Sequence, residues 1–267
     1  MASRSMWAGS ISFGLVNIPV KVYLATEDRN FSFNQLCPND HRIQYKRWCP
    51  VENKEVGYNE IKKGYEVSKD NYITIEKNEI DNIKLKTTKT IDIKEFIESK
   101  ELDPLLIERS YYVAPDTKRG AINKAYSLFV SILSESSKIA IGNVVFKDKE
   151  HVVALRAYQR GIIMHTLHYI DEIRPIDEID DMTNMQKVSI DNKEELSLGR
   201  LLIENLSTKH FDMSKYSDSY AQELKNLIDA KVKGKTYSKS DVFEKDGTKD
   251  LVKALKASLQ KTTKTKE

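Results

Sequence analysis

The chain has 267 residues and a mass of 30.7 kDa, 40% hydrophobic and 31% charged, enough apolar material for one large or two small domains under a heavily solvated surface. Six Pro and ten Gly exclude collagen-like and proline-rich classes, and two Cys exclude a disulfide scaffold and suit a reducing compartment. The net charge of +3 hides an asymmetry: residues 231–267 hold eleven Lys against five acids, so the first 230 residues sum to −3, the pattern of a near-neutral body with a basic tail.

Residues 6–25 are apolar, rich in β-branched and aromatic residues, and read as two strand segments with a kink or bulge at Gly14. Residues 31–75 alternate short strand-like runs with turns. Residues 87–97 alternate polar and apolar side chains and read as a strand, as does 110–115, which ends at Pro115. Over 119–135 the period changes. Ile122, Ala125, Leu128, Phe129, Ile132 and Leu133 follow amphipathic helical spacing. Strands resume at Ile139–Phe146, His151–Tyr158 and Ile162–Tyr169. Many strands, one helix and more strands argue for an α+β, mainly β fold or a barrel rather than a doubly wound sheet. After Pro175 the chain turns acidic, then helical over Leu196–Leu206 and Tyr216–Val232, the latter with Tyr216, Tyr220, Leu224, Leu227 and Ile228 on one face. Lys233–Thr248 is polar and reads as a linker. Leu251, Val252, Leu255 and Leu259 then make an apolar stripe on a last, lysine-studded helix. No apolar run approaches the roughly 18 residues of a spanning helix and no leader-type segment follows Met1, so a soluble, cytoplasmic protein with no membrane contact is expected.

No catalytic constellation stands out in the sequence. Gly9 and Gly14 bracket no phosphate loop, and no nucleophile elbow occurs. His165 and His168, three apart on a strand, point to opposite faces and read as core or surface histidines rather than a metal pair. Asp103, Glu108, Asp171 and Glu172 read as solvated carboxylates. The expectation is a protein that is not an enzyme and needs no cofactor.

Cys37-Pro-Asn-Asp40-His41 and Cys49-Pro-Val-Glu52 look like two knuckles of a zinc ribbon, each of which needs Cys-x-x-Cys. Asp40 and Glu52 stand where the second sulfurs belong. The expectation is a hairpin pair that keeps the ribbon's shape without the metal. Between the knuckles, His41–Trp48 holds three permanent cations, no acid and two aromatics. On a strand, Arg42, Gln44, Lys46 and Trp48 would share one face and Tyr45 and Arg47 the other. Lys62, Lys63 and Tyr65 follow. Cations interspersed with aromatics suit phosphate contact, although charge that blunts an exposed edge strand accounts for the run equally well.

GSISFGLVNIPVKVY, YKRWCP, KGYE, DPLLIERSYYVAPD and EHVVALRAYQRGIIMHTLHY, in this order, resemble the prokaryotic Ku proteins, and the tail motif LVKALKAS resembles their C-terminal segment. The resemblance covers nearly the whole chain. It implies a Ku-type β-barrel core over 1–185 with a ribbon-like bridge at about 30–65, a helical arm over 186–232, and a flexible linker and lysine-rich helix over 233–267. It further implies a ring-shaped homodimer that binds double-stranded DNA ends, associated with the nucleoid, and that recruits a repair DNA ligase for non-homologous end joining. Within it, Arg42, Lys46, Arg47, Lys62 and Lys63 of the bridge and Arg156 of the strand VALRAY are expected to contact the DNA backbone, and Leu251, Val252, Leu255 and Leu259 the ligase. Cys37, Asp40, Cys49 and Glu52 are the degenerate ribbon positions, with no metal expected. Two other classes compete. A nuclease would need clustered carboxylates for a metal. A zinc-ribbon adaptor without a DNA role would carry stoichiometric zinc and no affinity for duplex.

Overall fold

The computed structural model describes residues 4–83, 89–117, 123–146, 149–185 and 192–237. They divide into two compact units, one ending at Arg174 and the other beginning at Pro175. No helix among the described residues is long and apolar enough to cross a membrane.

The first unit is built on a closed barrel. Strands β1 (Trp7–Phe13) and β2 (Val16–Leu24) form a hairpin. Two small two-stranded sheets follow, β3 (Trp48–Cys49) with β4 (Lys54–Glu55) and β5 (Lys63–Ser68) with β6 (Asn71–Ile75), and then the short helix α1 (Lys77–Ile83). The barrel resumes with β7 (Thr90–Glu98), β8 (Ile107–Pro115), helix α2 (Asn123–Ser136), β9 (Lys138–Phe146), β10 (Lys149–Tyr158) and β11 (Gly161–Leu167). Round the barrel the order is β1-β2-β8-β11-β10-β9-β7. Every neighbour pair is antiparallel except the closing one: β1 meets β7 in parallel over Ser10–Ser12 and Thr90–Asp92.

Alternation along the strands fills the barrel. Ile18, Val20 and Val22 of β2 are fully buried and pack with Ile11, Ile91, Val113, Val144, Val153, Leu155, Ile162 and Met164. Opposite parity on the outer wall buries Ile139, Ala154 and Leu167 in a smaller cluster. Two glycines let backbones approach at the seams. A Cβ on Gly9 would stand 2.1 Å from the Lys89 carbonyl oxygen, and one on Gly142 2.4 Å from that of Asp92.

Three expectations are corrected here. The two strand segments expected over 6–25 form, but Gly14 between them is neither a kink nor a bulge. Phe13 pairs with Val16, so Gly14-Leu15 is a two-residue hairpin loop whose first residue has φ +57°, as a type II′ turn requires. In α2 the buried positions are Tyr126, Phe129 and Leu133, whereas Leu128 and Ile132 are exposed and Ile122 lies outside the described residues. The helix plugs one end of the barrel, and the Tyr126 hydroxyl decides which face turns inward. It donates to the Val113 carbonyl at 2.6 Å and accepts from the Ile162 N–H at 3.1 Å. Phe129 stacks on Phe13 at 5.1 Å between centroids. Tyr216 precedes its helix and is exposed.

The second unit carries α3 (Asp180–Met185), α4 (Lys193–Leu206) and α5 (Ser219–Val232). Asn192 and Asp218 cap α4 and α5: their side chains accept from the N–H groups of Glu194 and Glu195, and of Ala221. Leu201, Ile203, Leu206 and Tyr220 on these helices are exposed. The stripe Leu251, Val252, Leu255 and Leu259 lies outside the described residues.

Candidate nucleic-acid interface

The stretch between β2 and β7 is unlike the rest of its unit. Among described residues 26–83 none is buried, and only Cys37, Cys49, Val56 and Ile80 are half-buried. Tyr45, Val51, Tyr58 and Tyr65 are all at least 66% exposed. Local hydrogen bonds set its shape. At the first knuckle the Cys37 N–H donates to the His41 carbonyl at 2.8 Å and the Asp40 N–H to the Cys37 carbonyl at 2.9 Å. Asp40 takes φ 62° and Asn53, in the second turn, φ 50°, positions where short polar side chains tolerate the left-handed region.

The donor set does not fit a structural zinc. The Cys37 Sγ lies 3.7 Å from Nδ1 of His41, but Glu52 is engaged by Lys54 at 2.7 Å. No group of three or more His, Cys, Asp or Glu side chains among the described residues could hold a metal.

The expected strand over Arg42–Trp48 does not form. Arg42 makes one isolated bridge with Leu36, and the Ile43 N–H donates to the Gln35 carbonyl at 3.0 Å. Only Trp48 and Cys49 are in a strand, paired with Glu55 and Lys54. The run has no partner strand, so the two-face alternation does not apply. Tyr45 is instead tied by its hydroxyl to Gln35. Lys46 faces Glu55 at 2.9 Å, and that hydrogen bond, with the carboxylate's charge, raises its pKa above the ordinary lysine value. The Arg47 guanidinium lies 5.0 Å from the centroid of the Tyr58 ring, and its carbonyl accepts from the Val56 N–H at 2.8 Å. Lys63 opens β5 opposite Ile75, with Lys62 just before it, both exposed. The insertion therefore carries five of the six expected cations, four without an ion-pair partner among the described residues.

Arg156 stands apart, on the outer wall of the barrel. β10 points Arg156 and Tyr158 outward, and the guanidinium lies 5.5 Å from the Tyr158 ring centroid. Across the β10–β11 register its Nε–H donates to Nε2 of His165 at 3.3 Å. An imidazole that accepts at Nε2 carries its proton on Nδ1, which faces the Ser110 hydroxyl at 2.8 Å. His165 is 5% exposed, and burial, with the charge of Arg156, lowers its pKa. Tyr112 stacks beside Tyr158 at 6.2 Å. The wall thus presents one pre-aimed guanidinium against Tyr158, with Tyr112 stacked beside that ring. Sequence reasoning found Arg156 but neither of its supports. Tyr158, two residues along the strand, was legible; His165 needed the register.

Elsewhere two of the four expected carboxylates, Asp103 and Glu172, have local structural partners. Asp103 caps the turn at Pro104–Leu106, and Glu172 faces His168 at 3.4 Å and Lys149 at 3.8 Å. Nothing in these contacts resembles a reaction centre.

Residues 12–198 match the family model described as the Ku70/Ku80 beta-barrel domain. Over its whole length the chain is 38% identical to the non-homologous end joining protein Ku of Heliobacterium modesticaldum, covering 96% of that protein. It is 40% identical to the protein of the same description from Archaeoglobus fulgidus, over 96% of this chain and 98% of the relative. The Bacillus subtilis protein so described is 35% identical, over 97% of this chain and 82% of the relative.

Proposed function

The chain belongs to the Ku family of non-homologous end joining proteins, and from that premise we propose that two copies of it close as a ring on the end of a DNA double helix. The observation that carries this reading is the insertion between β2 and β7, in which no described residue from 26 to 83 is buried. A two-stranded hairpin exposed on both faces, as β5–β6 is, is marginal alone in water. Its apolar and cationic side chains need a second surface. A twin insertion and a polyanion together supply one, and two-fold closure uses the same patch on both copies.

The chemistry asked of such a ring is modest. It accepts any broken end, so it contacts phosphates and sugars rather than base edges. Arg42, Arg47, Lys62 and Lys63 suit that role, with Lys46 in competition with its carboxylate neighbour. Arg156 adds a fixed donor from the barrel wall. Each phosphate neutralised releases counterions and steepens the salt dependence by about 0.9 in logarithmic slope. Topology, more than any single contact, holds the ring in place. The protein acts as a binding platform and not as an enzyme, and the stripe Leu251, Val252, Leu255 and Leu259 recruits a repair ligase as an amphipathic segment.

Gel shift on matched linear and closed circular duplex tests the reading. Stable complexes on linear DNA of any sequence, and little retention on circles, are expected. Equal retention on both at moderate salt would defeat it.

A further inference from the structure

Among the described residues, one end of the barrel is plugged and the other is not. α2 fills the end that carries the Gly14 turn and the β10–β11 turn, while the opposite end opens into a cavity of about 390 Å³. That is within the roughly 300–1,000 Å³ of small-molecule sites, which often occupy barrel mouths. Trp7, Tyr111, Phe146 and His151 ring the cavity, with Arg109 and Lys149 at its rim. The rings form one cluster round Phe146. Trp7 meets it edge-on at 5.5 Å between centroids, Tyr111 at 5.9 Å and His151 at 6.1 Å. Val22 and Thr166, both essentially inaccessible, form the floor.

The lining has a chemical signature. Arg109 is exposed and has no ion-pair partner among the described residues. Lys149 keeps a loose 3.8 Å contact with Glu172 and remains 66% exposed. A single carboxylate, Glu108, joins the lining. Planar rings beside two cations fit a flat heterocycle that carries an anion, with Glu108 placed to accept from an amino or hydroxyl group. Aromatic platforms with cationic rims bind single-stranded nucleic acid without reading sequence.

We propose that the open barrel end is a binding site for one unpaired nucleotide, its base among the rings of Trp7, Tyr111 and Phe146 and its phosphate on Arg109 and Lys149. A paired base has both faces stacked and its hydrogen-bonding edge engaged, so the duplex interior cannot supply this ligand. An overhang or frayed terminus can, and so can a free nucleotide. Only the choice of DNA as the source rests on the end-binding reading above; the site itself does not.

Trp7 and Trp48 are the two tryptophans of the chain, so a Trp48→Phe variant leaves Trp7 as the only indole and places the reporter in the site. Its emission is followed during titration with dAMP, with a hairpin duplex bearing a short single-stranded overhang, and with the same hairpin made blunt. Loading of the variant on the blunt hairpin is recorded separately by gel shift, so that failure to bind DNA ends is distinguished from failure of the cavity. Saturable quenching by the overhang hairpin, with a midpoint raised about tenfold or more by Arg109→Ala, is expected, since a charge-assisted contact is lost. Quenching by dAMP but by neither hairpin supports a free-nucleotide site and overturns the DNA source. No quenching by dAMP or overhang, equal quenching by the blunt hairpin, or an unchanged midpoint in Arg109→Ala overturns the proposal.

Discussion

The Arg156 side chain donates its Nε–H to Nε2 of His165, 3.3 Å away across the β10–β11 register. One bond fixes two things: the tautomer of a buried imidazole and the direction of a guanidinium on the barrel wall. Protonation of His165 would put a second cation against Arg156 and abolish the acceptor.

NMR titration of the imidazoles should therefore find His165 below its ordinary 6.5, because burial and then Arg156 disfavour the charged form. The sign of the stability effect follows. The folded value lies below the unfolded one, so the contribution of His165 is present above about 6.5 and is lost as pH falls from there through the folded value. Arg156→Leu should move the imidazole part of the way back. A His165 titration unchanged by that substitution would break the link.

In the insertion between β2 and β7, changing Lys46 and Arg47 together to Ala should weaken DNA binding evenly across sequences. It should also flatten the dependence of log K on log salt by about two. Glu55→Gln removes the partner of Lys46 and should act in the opposite direction, steepening the slope. A double variant with the wild-type slope would mean that neither side chain reaches a phosphate.

Zinc content is the third measurement. Glu52 is held by Lys54 and no sulfur stands at residue 40 or 52, so the purified protein is expected to contain far less than one zinc per chain. Elemental analysis that finds about one zinc per chain, lost on Cys49→Ser, would overturn this.

A chain ending near Lys233 lacks the stripe Leu251, Val252, Leu255 and Leu259. It should still dimerise and load on DNA ends, yet fail to stimulate its ligase, because an isolated helix that short needs a surface to form on. Full stimulation by the truncated chain would assign recruitment to the barrel or the arm.

Two substitutions on α2 test the plug. Tyr126→Phe leaves the Ile162 N–H and the Val113 carbonyl without their buried partner and should cost about 1–3 kcal/mol in chemical denaturation. Ile132→Ala, at a position 49% exposed, should stay near 0.5 kcal/mol, the usual scale for surface changes. Equal losses would mean that the helix turns another face inward.

Unlike β11, which is buried at every position from Ile162 to Leu167, β2 was legible because it buries alternate residues. Ile18, Val20 and Val22 display the period without help from any other segment. The face of α2 was not, since Leu128 and Ile132 fit a helical stripe as well as Tyr126 does, and only the groups at the barrel end choose between them. The alternation expected over Arg42–Trp48 failed for a related reason: a strand needs a continuous partner, and before Trp48 this run makes only the isolated bridge of Arg42 to Leu36. The Lys46–Glu55 pair depends on the turn that joins β3 to β4, and the Arg156–His165 bond on a register. Cation positions could be read from the sequence, but not what holds each one.

The barrel closes through its weakest seam. Three residues of β1 lie parallel to three of β7, with one added bond from the Ser10 N–H to the Lys89 carbonyl at 2.9 Å. The other side of the β1–β2 hairpin joins the body through Val20–Leu24 against β8. Strands β7 to β11 and α2 are joined by comparatively short connections, whereas β1 reaches β7 only after the whole insertion has been looped out, an entropic cost that grows with the logarithm of the loop. The N-terminal hairpin should therefore be the first stave to work loose. Its outer amides at Ser10–Ser12 should exchange with solvent ahead of those in β9–β11, and strain transmitted along the insertion would reach the barrel at this seam first.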